Sequence, residues 1–129
     1  MSKSILMVII SFIMTFASTS YAGTNEGVRC IKKNSTVQAV YDKGSNGQTI
    51  KRDIKVGSSY KGGKCMGRCG AGCGRWWIPS SWTKDCLDHD ICIADQNGEN
   101  GLANDKNCGD EFNHAALDWT TGVALGCSG

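Results

Sequence analysis

The residues best suited to chemistry in this chain stand close together. Asp85 to Cys92 reads DCLDHDIC, with His89 beside Asp90 and a cysteine on either side. A neutral imidazole takes up a proton near pH 7 and is the usual choice for activating a water molecule. A carboxylate is a hard oxygen ligand of the kind that holds a divalent cation. Neighbours on a helix point about 100° apart, so the two side chains do not face one another. They suit two adjacent tasks at one site, a proton acceptor and a metal ligand. Just upstream, GSSYKGGKCMGRCGAGCG (57–74) packs seven glycines and three cysteines into one stretch. Such a stretch is no helix. It predicts a loop whose backbone takes conformations that glycine alone tolerates and that comes close to a ligand.

These residues need elements to position them. Thr83 to Gln96 predicts a helix, with Leu87, Ile91 and Ala94 on one apolar face and Asp85 and Asp88 near its N-terminus, where the helix dipole favours them. A second helix is expected from about Asn104 or Asp105, with Cys108, Phe112, Ala115, Ala116, Trp119 and Val123 at helical spacing. The short connection DQNGENG predicts an antiparallel pair. A register that sets Cys92 against Cys108 brings Asp110 within a residue of His89. A carboxylate held against the imidazole would fix its tautomer and stabilise the imidazolium formed in base catalysis. Earlier in the chain, Ser35–Asp42 and Gln48–Val56 flank the turn residues KGSNG and predict a β-hairpin, with Ile50, Ile54 and Val56 alternating and Arg52 breaking the face.

Residues 1–22 carry one lysine, an apolar run from Ile5 to about Ala17, and small residues before Gly23, the pattern of a cleaved secretory signal. The expected product is a secreted domain spanning 23–129, with a hairpin region (23–57) and a loop plus two helices (58–129). All eight cysteines lie in that part, which predicts disulfides in an exported chain; eight cysteines allow 105 pairings. Without the signal, thirteen basic side chains stand against twelve acidic ones. That near balance argues against nucleic acid as a partner.

Taken together, CGAGC (69–73) and CLDHDIC (86–92), with a carboxylate downstream, resemble the secreted phospholipase A2 family, over about Cys69 to Trp119. The resemblance implies a small disulfide-rich α+β fold: two antiparallel, disulfide-linked helices with a glycine-rich calcium loop, here joined to an N-terminal hairpin. It implies Ca2+ as cofactor and hydrolysis of the sn-2 acyl ester of glycerophospholipids in a membrane or micelle. His89 matches the water-activating histidine, Asp90 the calcium carboxylate, and Arg68, Gly70 and Gly72 the loop positions whose carbonyls complete the calcium site. The Gly70 N–H matches the oxyanion donor, and Asp110 the partner of the histidine. Two disulfides are implied as well, Cys69–Cys86 and Cys92–Cys108.

The chain departs from that pattern. Ile93 stands where the family has a tyrosine, Cys73 replaces a loop glycine, and Asp110 follows its cysteine by two residues rather than one. Two other readings compete. One keeps the scaffold but binds membranes or a partner without turnover; the other binds a metal through thiolates of Cys65, Cys69 and Cys73. Trp76, Trp77 and Trp82 suit either a core or a lipid interface, and Lys61, Lys64, Arg68, Arg75 and Lys84 either an anionic surface or plain solvation. The expected state is a monomer.

Overall fold

A computed structural model describes residues 27–43, 47–70, 72–74, 78–96 and 102–129. The proposed signal segment, Trp76, Trp77, Arg75 and most of DQNGENG lie outside these residues. The described chain holds β1 (Thr36–Lys43), β2 (Gln48–Lys55), α1 (Lys84–Asp95) and α2 (Gly109–Ala124) in that order. The small α+β fold, the hairpin and the helix pair are all present.

The strands pair antiparallel, with Val37 opposite Ile54, Ala39 opposite Arg52 and Tyr41 opposite Ile50. One face therefore carries Val37, Ala39, Tyr41, Ile50 and Ile54 toward α1, and Ala39, Tyr41 and Ile54 are buried. Arg52 interrupts this face for a reason: its Nε reaches Asp95 Oδ2 at the end of α1, at 3.4 Å.

Thr83 caps α1, its hydroxyl accepting from Cys86 N, while Leu87 and Ile91 are fully buried against Ile31, Val56, Met66 and Trp82. Trp82 is thus a core residue. Helix α2 begins at Gly109, later than its apolar spacing suggests. The Asp105 carboxylate accepts from the N–H groups of Asn107 and Cys108 and holds that stretch as a turn. The start of α1 is woven into the fold from both ends of the chain: Ile31 N donates to Trp82 O, Lys84 N to Arg29 O, and Trp82 N to Cys127 O.

All eight cysteines are paired, as Cys30–Cys127, Cys65–Cys73, Cys69–Cys86 and Cys92–Cys108. The two pairings implied by the resemblance are both present. No free thiol remains, which removes the thiolate-metal reading. Among the described residues, no helix is long and apolar enough to cross a membrane.

Candidate functional site

Helix α1 displays His89 and Asp90 on its half-buried side, and Cys69–Cys86 fastens the glycine-rich loop one turn before them. The loop and α1 meet again at Gly67, whose N–H donates to Asp90 Oδ2 at 2.8 Å. Gly67 has φ +89°, and a Cβ there would lie 2.8 Å from Ile31 Cδ1. Conformation and space both demand glycine at this point.

His89, Asp90, Gly70 and Gly72 line a single cavity of about 500 Å³. Its remaining walls are apolar: Ile93 from α1, Phe112, Ala115, Ala116 and Trp119 from α2, and the Cys69–Cys86 bridge. Gly70 and Gly72 have φ of +95° and +56°, with open space where a Cβ would stand. The loop backbone is therefore unshielded at these two residues.

Burial pushes the Asp90 carboxyl up to about 7, against the single Gly67 N–H that pulls it down. A carboxylate so disfavoured as an anion gains from a cation beside it. A carboxylate oxygen is of the type that hard divalent ions take, and Gly70 and Gly72 of the loop line the same cavity. Among the described residues no group of three or more His, Cys, Asp or Glu side chains is placed to hold a metal, so any ion here depends on the loop carbonyls.

Arg68 supplies more than a carbonyl. Its side chain is buried, Nη1 makes a long 3.5 Å contact with Gly72 O, and the guanidinium lies flat against Gly74, where a Cβ would clash at 1.8 Å. The guanidinium braces the loop from beneath.

Asp110 stands apart from this group. It is exposed, and the groups that act on it are Glu111 and His114 of its own helix. From α2, Phe112 meets the imidazole, its ring edge-on to His89 at 5.4 Å between centroids. Glu111, next to Asp110, turns inward, and its Oε1 accepts from Asp42 N of the hairpin at 3.1 Å. Burial and the neighbouring Asp110 raise the Glu111 carboxyl to about 8, so near neutrality it keeps a proton that Asp110 gives up.

Sequence reasoning missed three contributors. Phe112 was marked only as part of the apolar spacing of α2 and Gly67 only as one glycine of the loop, with nothing to tie either to His89 or Asp90. The buried Lys84–Asp88 ion pair of α1, whose Asp88 Oδ1 also accepts from Val40 N at 2.8 Å, was visible only as an i, i+4 spacing. It removes Lys84 from any basic surface.

Fold and site together define a small, four-disulfide α+β domain in which one helix sets a histidine and an aspartate over an apolar cavity walled by a glycine loop. The chain belongs to the family described as a domain of unknown function (DUF8213), whose family model matches residues 26–129. No curated protein and no solved structure matches it.

Proposed function

We propose that this protein is a secreted, calcium-dependent hydrolase that cleaves the sn-2 acyl ester of glycerophospholipids. The observation that carries this reading is the shared cavity: His89, Asp90, Gly70 and Gly72 line one chamber whose other walls are apolar. An ester with a long acyl chain suits such a chamber. His89 would take the proton from the attacking water, and the Gly70 N–H would face the developing oxyanion. Asp90, with the carbonyls of Arg68, Gly70 and Gly72, would hold Ca2+, which when bound polarises the ester carbonyl. Four disulfides suit an oxidising, extracellular or periplasmic setting.

The test is fatty-acid release from mixed phospholipid vesicles, with calcium and with a chelator, by the oxidised protein and by His89→Gln. The reading expects calcium-dependent release from the 2-position and a loss of about 10²–10⁴-fold in the variant. Release that survives His89→Gln, or no release from any lipid by folded protein, defeats it.

A second reading, a binding protein on the same scaffold that does not turn over substrate, is favoured by one observation. The Phe112 ring of α2 lies edge-on to His89, and Asp110 is exposed. Calcium-dependent vesicle binding without product would support it.

A further inference from the structure

A second cavity, of about 900 Å³, adjoins the first and shares Gly72, Asp90 and Ile93 with it. Their other walls differ in kind. The smaller chamber is closed by α2 side chains, whereas the larger is lined by Lys61, Gly62, Gly63 and Lys64.

The two lysines stand on a braced turn. Tyr60 N donates to Gly63 O and Gly63 N to Tyr60 O, with Lys61 and Gly62 at φ of +43° and +88°. The Tyr60 hydroxyl donates to Asp95 at 2.9 Å, and Lys61 Nζ reaches the same carboxylate at 2.6 Å. Asp95 also takes Arg52 and the Tyr41 hydroxyl, so its capacity is filled. Lys64 is exposed and has no ion pair among the described residues. The charged side chains that line this chamber are Lys61, Lys64 and Asp90; with Lys61 paired to Asp95, Lys64 is the cation left to face a ligand beside Asp90.

We infer that the larger chamber receives the phosphate of an anionic lipid head group, with Lys64 as its principal contact and Lys61 beside it. The acyl chain then occupies the apolar chamber, and the ester lies across the shared wall at Asp90. This rests on the hydrolase reading for the ester's position, but the head-group contact stands by itself as a binding site.

Binding and turnover separate the two claims. Vesicle sedimentation is measured in the His89→Gln background, on phosphatidylglycerol and on phosphatidylcholine vesicles, with Lys64→Glu, Lys64→Gln and the control Lys55→Glu. Lys55 is exposed on β2, and its reversal changes net charge as much as Lys64→Glu does. The expected result is a loss of about tenfold in partition to phosphatidylglycerol for Lys64→Glu, an intermediate loss for Lys64→Gln and less than about twofold for Lys55→Glu. Equal losses for Lys64→Glu and Lys55→Glu would mean diffuse attraction and overturn the inference. So would equal partition of the Lys64-intact protein to the two lipids. Titration with inorganic phosphate at constant ionic strength identifies the source. Lys64-dependent phosphate binding without lipid selectivity would replace the lipid head group with free phosphate. Should the protein carrying His89 release no fatty acid while Lys64 selectivity persists, the hydrolase reading fails and the head-group site stands.

Discussion

The hairpin and the glycine-rich loop both pack on α1, yet they are held by different forces. The hairpin has its own hydrogen-bond ladder over eight residue pairs and adds side-chain ties to the helices: Val40 to Asp88, Asp42 to Glu111, and Tyr41 and Arg52 to Asp95. The loop from Gly57 to Trp82 contains no strand or helix among its described residues. It is fastened instead by Cys65–Cys73 and Cys69–Cys86, by Arg68 beneath it, and by isolated bridges such as Arg68 to Trp82. In the two-stranded hairpin the ladder takes up the inward backbone groups, and the outward N–H groups of Val40 and Asp42 are committed to Asp88 and Glu111. Cross-links share the ordering of the loop with backbone bonds such as Met66 N to Ser58 O and Cys69 N to Ser81 O, so fewer of its backbone groups need pairing, and the proposed oxyanion donor and calcium carbonyls draw on that.

Four variants test that contrast. Asp88→Asn attacks the hairpin's polar anchorage and leaves the buried Lys84 ammonium without its counter-ion. Breaking a buried pair from one side costs about 3–5 kcal/mol, read as a lower midpoint in urea unfolding. Adding Lys84→Met should recover most of that loss; no recovery would mean that the Val40 tie, not the stranded charge, dominates.

The double variant Cys69→Ser, Cys86→Ser attacks the loop. With a sequence separation of 17, the cross-link is worth about 3 kcal/mol. Beyond the stability loss, hydrogen exchange should rise in 65–74 while the hairpin ladder stays protected. Equal loss of protection in both regions would show that the two are not held independently.

Gly122→Ala probes α2 where it crosses the chain leading into α1. A Cβ there would lie 2.7 Å from Ser81 Cβ and 3.0 Å from Thr83 Cγ2. Overpacking at such a contact costs about 1–3 kcal/mol, and a melting temperature unchanged from the wild type would refute the tight crossing.

The smallest effect is one of pH. The Glu111 carboxyl is raised from its ordinary 4.5 to about 8, so the fold favours its protonated form. Its contribution is complete below about pH 4.5 and fades as pH climbs through about 8. Glu111→Gln should flatten the fall in melting temperature between those limits. Asp88 and Asp90, raised by burial to about 6 and about 7, titrate in both proteins and cancel from the difference. Parallel curves would exclude Glu111 as a pH-sensitive tie between α2 and the hairpin.

Much of the fold was legible in the residues. Alternation along 36–43 and 48–55 marks the hairpin because side chains in a strand point to opposite faces. Leu87, Ile91 and Ala94 mark the buried face of α1 because a helix repeats every 3.6 residues. Asp110 shows where such reading stops. Adding residue numbers treats paired helices as a flat ladder, in which 110 stands near 89. Side chains on a helix turn about 100° per residue, so near one cross-strand level Asp110 faces out, Glu111 turns toward the hairpin and Phe112 turns toward His89. Likewise, Trp119 and Val123 continue the apolar spacing of α2 but are substantially exposed, since nothing in spacing says how far the opposing surface extends.

By itself the sequence determined the kind of molecule: a small cysteine-rich α+β domain, with a histidine and an aspartate adjacent on a helix and a glycine loop before it. These are consequences of local geometry and composition. Only the tertiary structure decided which of 105 cysteine pairings forms, that Gly67 rather than a side chain holds Asp90, and that two chambers of unlike lining meet at that carboxyl. Each of these depends on how residues distant in the chain approach in three dimensions, and periodicity along the chain carries no measure of that.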